Sequence, residues 1–460
     1  MLRRRSVCLV VTVLSLLGLS VGCGGDRQEP AAPQATVSEV PLRVALAGDE
    51  QQAEAIRRGW LAVSDQPLDV TALGAQPSDQ QMVTAAQQHD VLIYPTAQTG
   101  QLIQEGAIRP LRKQFHADAE RQTTEAEPTE LLPALGDSLV RYGSESVGLP
   151  LGGPQPVLLR RPDGGPSPRQ TTWTDYAQQV AQTDKGRAAE PLADGWAAQA
   201  LLYRANGYCG STWLFRGDEL QPILATAPYL RALRELQQDA ARYPSQRMTP
   251  AEIWQAVHEG NLDLAIAWPA SPENLMESDL ATRADVMLQP LPVGDPVYLD
   301  PERGWQDRGG RSDDHWVLLM GQAPMGSLAA GCRQTFVSES FLQWISGGEG
   351  STGLPEAIAG FTVTRTTNND LGADGGGPQT DYSQLLRTQL SGRFVRPPLR
   401  IPGADQYMQA LDAEVQAVLA GEKTPETALI DASVAWEEIT ERYGRRQQAK
   451  HWRMTQGMSR

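Results

Sequence analysis

From residue 42 onward, short apolar runs alternate with amphipathic ones, and this restricts the fold more than any other feature of the chain. Residues 42–47 (LRVALA) predict a strand that runs into Gly48, Asp49 and Glu50. A helix follows, carrying Ala55, Trp60 and Leu61 among polar neighbours. Residues 68–73 predict a second strand, 82–88 a helix and 90–94 a third strand. Strands and helices alternating at this pitch make βαβ units, so the expectation is an α/β fold built on parallel sheet. Further strands are expected at 146–149, 157–160, 262–268 and 316–320, with a helical pattern between 198 and 243. Thr249-Pro250, with Glu252 three residues after the cap, predicts a helix start, as does Thr424-Pro425. Beyond the latter, Leu429, Ala432, Trp436, Ile439 and Tyr443 form one apolar face that Gly444 terminates.

Residues 1–22 have a different character. Arg3, Arg4 and Arg5 precede an uncharged apolar run from Val7 to Val21, the layout of a secretory leader. The run is short for a membrane span and is followed at once by a Gly/polar stretch. Ser20-Val21-Gly22-Cys23 resembles a bacterial lipobox, although Ser20 stands where leucine is preferred. Cys23 is therefore the expected lipidation site, and residues 23–40, rich in Gly, Pro, Ala and charge, a flexible tether. A cleaved leader with an incidental cysteine is the alternative. The formal charge of the chain is −15, and the leader removes three arginines, so the mature protein is more acidic still. Such a chain has no electrostatic footprint for nucleic acid and is repelled by anionic lipid, which leaves the lipid anchor as its route to a membrane. Cys8 leaves with the leader. Cys209 and Cys332 remain, either as a disulfide in an oxidising compartment or as two buried free thiols.

Familiar catalytic constellations are missing from the sequence. The five histidines are scattered without a His-Glu-x-x-His, and there is neither a Gly-x-Ser-x-Gly turn nor a phosphate loop. His116-Ala-Asp118-Ala-Glu120 reads as a solvated face rather than a metal site. With 55 Asp and Glu, no single carboxylate pair stands out for glycoside hydrolysis. No catalytic residue, metal or cofactor is assigned. The positive signal is tryptophan: eleven, against six phenylalanines. Indole faces stack on the C–H faces of sugar rings while the ring N–H donates a hydrogen bond, so tryptophan is a common lining of carbohydrate sites. Tyr94 and Trp268 each end a predicted strand, where open α/β sheets bind ligands, and Trp305 lies in a polar, glycine-rich loop. These three are the stacking candidates. Asp49 and Glu50 are candidate acceptors for ligand hydroxyls, and Trp196 and Trp316 are weaker candidates that equally suit a core.

Several stretches, in order, resemble the extracellular solute-binding proteins of sugar ABC importers, the family-1 type. Residues 42–49 are similar to that family's first strand and ligand-facing turn. Asp90-Val-Leu-Ile-Tyr-Pro95, followed by Leu102-Ile-Gln-Glu-Gly-Ala-Ile-Arg-Pro-Leu111, resembles its strand, helix and proline-leucine stretch. Val147-Gly-Leu-Pro-Leu-Gly-Gly153 resembles a first hinge crossing, residues 260–269 a "glycine, strand, Trp-Pro" element, and residues 401–439 the family's tail. Residues 366–379 and the acidic stretch 114–131 depart from the pattern, and no role is carried across them.

The resemblance implies a two-lobed periplasmic-binding-protein fold with discontinuous lobes and a hinge. One lobe is expected at 41–150 with 269–330, the other at 151–268 with 331–460. It further implies a monomeric, non-enzymatic, lipid-anchored receptor at the cell envelope that captures a carbohydrate for ABC permease subunits. An exported polysaccharide-active enzyme, or a binding-protein fold used for sensing, are the competing readings.

Overall fold

The computed structural model describes residues 39–112, 131–161, 171–217, 219–270, 286–307, 316–347, 354, 358, 360–366, 378–392 and 394–458. The expected leader, Cys23, most of the tether, and His116, Asp118 and Glu120 lie outside the described residues.

Ten strands build two sheets: β1 (Leu42–Leu46), β2 (Leu68–Ala72), β3 (Val91–Pro95), β4 (Ile108–Arg109), β5 (Leu149–Pro150), β6 (Val157–Arg160), β7 (Ala188–Ala189), β8 (Leu264–Ala267), β9 (Met287–Gln289) and β10 (Pro324–Ala329). The first sheet runs β2-β1-β3-β10-β4, with β5 also paired to β10. β1 is parallel to β2 and β3, as the βαβ reading requires, and β10 returns antiparallel between β3 and β4. The second sheet runs β9-β6-β8-β7.

The apolar runs of the first strands are nearly continuous because helices cover both faces of the sheet. Strand alternation sorts their side chains. Leu42, Val44, Leu46, Val91 and Ile93 enter one core cluster, whereas Ala45, Leu92 and Tyr94 enter another on the opposite face. Helix α1 (Glu50–Leu61) covers the first face with Ala53, Ile56 and Trp60, and α2 (Asp79–Ala86) covers the second with Met82, Ala85 and Ala86. The short helix α3 (Thr99–Gln104) completes this unit.

The second lobe is centred on α4 (Ala197–Tyr208), every residue of which is buried. Helix α5 (Pro250–His258) starts where its sequence signals lie, with Thr249 and Glu252 forming a capping box. Helix α6 (Thr335–Ile345) instead packs Phe341, Leu342 and Trp344 into the first sheet's cluster, beside Trp60. Helices α7 (Ala404–Leu419) and α8 (Pro425–Tyr443) lie on α4's side, Trp436 of the predicted stripe donating to the Tyr407 carbonyl at 2.8 Å. The last helix, α9 (Arg445–Thr455), places Ala449 in the α4 cluster and Met454 in a first-sheet cluster. β9 pairs within the second sheet, and α6 packs against the first. Sheet partners are chosen by long-range pairing, which local patterning does not report.

The chain passes between the sheets along adjacent segments. Leu151 N donates to Pro324 O at 2.9 Å and Gly153 N to Thr362 Oγ1 at 2.8 Å. A Cβ on Gly152 would lie 2.0 Å from the Gly360 carbonyl, so this close approach requires glycine. The disulfide alternative is corrected: Cys209 and Cys332 are separate buried free thiols, one in the α4 cluster and the other beside α6. Among the described residues no helix is long and apolar enough to cross a membrane.

Candidate functional site: a cleft between the two lobes

A cleft of about 1120 Å³ opens between the sheets. On the first lobe it is bounded by the turn after β1 (Leu46, Ala47, Gly48), the end of β3 (Ile93, Tyr94, Pro95), the N-terminal turn of α2 and the entry to β10. This is the carboxyl-end edge of the parallel strands, where α/β folds hold ligands. On the second lobe it is bounded by the Asp194–Gln199 turn, Trp213, Leu214, the 398–399 segment and one face of α7.

The lining has a distinct chemistry. Ten glutamines (Gln52, Gln76, Gln80, Gln81, Gln98, Gln199, Gln322, Gln406, Gln409 and Gln416) and four aspartates (Asp79, Asp194, Asp405 and Asp412) line it, with Tyr94, Trp196, Trp213 and Phe361 as aromatics. Among the described residues no Lys, Arg, His or Glu lines it. Amides donate and accept, and carboxylates accept, so the walls match groups that are both donor and acceptor. None of these side chains carries a positive charge. No group of three or more His, Cys, Asp or Glu among the described residues is placed to hold a metal.

Several lining groups are held by neighbours. Asp412 accepts from Gly195 N at 2.9 Å and Ala198 N at 3.0 Å, and Gln416 Nε2 donates to Leu192 O at 3.0 Å. Together they fix the turn that presents Trp196. Trp268, 3% exposed, packs edge-on against Trp196 with ring centroids 5.4 Å apart. The Arg396 guanidinium lies between Trp213 (4.9 Å) and Trp316 (4.8 Å), and donates to the Asn206 and Cys209 carbonyls at 3.1 Å each. Immediately after Trp213, Leu214 adopts φ +57°, a left-handed conformation costly for a γ-branched residue, with its N–H donating to Tyr229 OH at 3.1 Å. Strained backbone beside a cleft aromatic is a common feature of binding sites.

Two carboxylates sit at the meeting of the lobes. Burial, with the Asp405 charge as second cause, pushes the Asp79 carboxyl up to about 6. Asp405, in the first turn of α7, is itself exposed. Asp79 Oδ1 has no hydrogen-bond partner, nor does Oε1 of Gln98, whose Nε2 is committed to Pro77 O at 2.9 Å.

Of the residues singled out in the sequence, Tyr94 and Trp196 line the cleft. Tyr94 is fully buried and its hydroxyl bonds Ser327 Oγ at 2.8 Å, so it forms floor rather than open wall. The remaining candidates, Asp49, Glu50, Trp268, Trp305 and Trp316, are not among the lining residues. Trp268 stands behind Trp196, and Trp316 stands behind Arg396 against Phe394. Trp305, 36% exposed, packs with Tyr298 and Tyr208 and is not a lining residue. Asp49 is the N-cap of α1, accepting from Gln52 N at 2.8 Å, and Glu50 pairs outward with Arg57 at 2.8 Å. A strand-end acid next to an amphipathic helix serves the helix terminus first. Sequence reading missed Trp213 and the glutamines. On α7 the spacing of Asp405, Gln409, Asp412, Ala413 and Gln416 marks one helical face, which reads as solvent-facing until the other lobe is placed opposite.

No family model matches the chain, and no curated protein matches it. Solved structures do. An ABC transporter solute-binding protein from Agrobacterium radiobacter K84, in complex with ribitol, superposes with a TM-score of 0.64 at 17% identity, over 88% of this chain and 99% of that one. One from Agrobacterium vitis S4 with bound D-mannitol gives 0.63 at 15% identity, over 88% and 99%. The maltose-maltodextrin binding protein of Alicyclobacillus acidocaldarius gives 0.60 at 15% identity, over 86% and 100%. The fold is that of the two-lobed periplasmic binding proteins. It is α/β, with discontinuous lobes joined by crossing segments.

Proposed function

We propose that the protein is an extracytoplasmic receptor that captures a small carbohydrate or polyol in the interlobe cleft and closes around it by hinge motion. The observation that carries this reading is the lining: amides, carboxylates and the Trp196 and Trp213 rings, with no cationic side chain among the described residues. That set suits the alternating donors and acceptors of hydroxyls and the apolar faces of a sugar ring. The fold neighbours, described as complexes with ribitol and D-mannitol and as a maltodextrin binder, support the same ligand class. The reading assigns β9 to the second lobe and α6 to the first. It assigns no catalytic step, in keeping with fold neighbours that are described as binding proteins.

Delivery belongs to the same reading. Residues 1–22 act as a leader, Cys23 carries lipid, and the following tether lets the monomeric body reach ABC permease subunits. One acyl chain anchors only marginally, so the full lipoprotein modification is required. Calorimetry with a panel of neutral polyols and oligosaccharides tests the binding claim, with the matching sugar phosphates as controls. A neutral member is expected to bind and its phosphate to be rejected. No heat from any neutral member, or preference for the phosphate, overturns the reading. The anchor has its own test: Cys23→Ala is expected to move the protein from the membrane fraction to the soluble one with ligand affinity unchanged, and a variant still retained at the membrane argues against lipidation.

A further inference from the structure

Helix α4 carries its polar side chains inside the second lobe, where each needs a partner. Arg204 reaches Glu190 and, at 2.7 Å, Asp239. Asn206 Nδ2 donates to the Trp316 carbonyl at 2.6 Å, and its Oδ1 accepts from Arg396. Tyr203 OH donates to Glu190 and Tyr208 OH to Glu235, at 2.5 Å each. Gln199 is the exception. It is 4% exposed and lines the cleft, and among the described residues neither end of its carboxamide has a hydrogen-bond partner. Unlike Oε1 of Gln98, its amide atoms are not sealed from the cleft.

The other lining glutamines are occupied or wet. Gln416 donates to the Leu192 carbonyl and accepts from Arg247, and Gln406 is held between Tyr443 and Arg442. Gln52 spends Oε1 on the Asp49 N–H at 3.2 Å, as part of the capping box of α1. Gln76, Gln80, Gln81, Gln322 and Gln409 are exposed, where water satisfies an amide. Along the helix Gln199 stands between Trp196 and Leu202, both lining residues, so its flanks offer no partner. A buried amide left unpaired costs free energy, and a ligand that completes its hydrogen bonds recovers that cost.

A carboxamide sets an acceptor beside a donor. A carboxylate or an ammonium matches one end only, and a trans secondary amide presents its C=O and N–H on opposite edges. Two hydroxyls on neighbouring carbons match both ends. Because each hydroxyl donates and accepts, either orientation of the amide serves. We propose that Gln199 is the specificity-determining residue of the cleft, pairing with two adjacent free hydroxyls of a ligand whose apolar face rests on Trp196. This rests on the carbohydrate reading above and narrows it to ligands that keep a free vicinal diol at this position.

Calorimetry and urea unfolding on the full chain test it, with D-sorbitol, D-mannitol, maltotetraose and cellotetraose as probes. Gln199→Met keeps the length of the side chain and removes both polar ends. Affinity for the tightest-binding probe is expected to fall at least about tenfold in this variant. The urea midpoint of the unliganded variant is expected at or above that of the wild type, since no hydrogen bond of the fold is lost. Monodeoxy analogues of that probe are then titrated against both proteins. Two of them, lacking adjacent hydroxyls, are expected to bind the wild type more weakly than the parent probe and to equal it in Gln199→Met. Unchanged affinity in Gln199→Met removes the residue from the site and leaves the carbohydrate cleft standing. A midpoint that falls together with affinity makes Gln199 a packing residue and overturns the proposal. Deoxy losses that persist in the variant, or that fall on hydroxyls that are not neighbours, overturn the diol pairing. If no probe binds the wild type, the carbohydrate reading itself fails.

Discussion

Trp196 and Trp213 owe their positions to residues set behind the cleft. Trp268 backs the first ring, and the Arg396 guanidinium, between Trp213 and Trp316, backs the second. Trp196→Ala removes a lining aromatic and is expected to weaken saccharide binding by about 1–3 kcal/mol. Trp268→Ala removes only its support, and a smaller loss in affinity is expected than for Trp196→Ala, together with lower stability from the buried cavity. Calorimetry and urea unfolding on both variants check the order; a larger binding loss for Trp268→Ala would return that ring to the site. Asp79 gives a pH prediction. Its folded pKa of about 6 lies above the ordinary 3.8, so the folded state binds the proton more tightly than the unfolded one. The ionised carboxylate therefore costs stability above pH 6, and the cost disappears as the pH falls toward 4. Asp79→Asn is expected to stabilise the unliganded protein at pH 7.5 by about 1–3 kcal/mol and to do less at pH 4.5. Equal denaturation midpoints of variant and parent at pH 7.5 would contradict the sign. At this scale the sequence exposed Tyr94 and Trp196 through strand-end position and aromatic type. It hid the glutamines, because an amide on a helix reads the same whether it faces water or a ligand.

Elements were more legible than residues. The strand runs near 42, 68 and 90 became β1, β2 and β3, and the capping signals at Thr249 and Thr424 became the starts of α5 and α8. Those signals are local: alternation, an N-cap, a Pro at the first helical position. The placement of α6 and β9 was not local, since each depends on which sheet offers an apolar face or an unpaired edge. Residues 147–153 were readable as a crossing only through the family resemblance, and the structure supplies the reason for Gly152. Ala there meets the Gly360 carbonyl at 2.0 Å and the Thr362 N at 2.9 Å, both backbone atoms of a neighbouring crossing. Gly152→Ala is expected to lower stability by about 1–3 kcal/mol, as overpacking does, and to alter ligand affinity because the hinge is displaced. Unfolding by urea reads the first effect and calorimetry the second; wild-type values in both would show that the crossings are not tightly apposed.

As a whole molecule the protein joins an acidic body, formal charge −15, to a cleft without cations among its described lining. Both features repel anionic ligands and leave neutral or cationic ones free to enter. The two-lobed arrangement was legible from the order and spacing of local resemblances, one of them the crossing at 147–153. The ligand was not legible, because specificity is made where the lobes meet and neither half of the chain carries it alone. The most direct measurement of the central claim is a calorimetric titration of the wild-type chain and of a Trp196→Ala, Trp213→Ala double variant with whichever neutral oligosaccharide binds. The account predicts one site per chain in the wild type and an affinity at least about a hundredfold lower in the folded double variant. Equal affinity in the two proteins, or no heat from any saccharide, would contradict it.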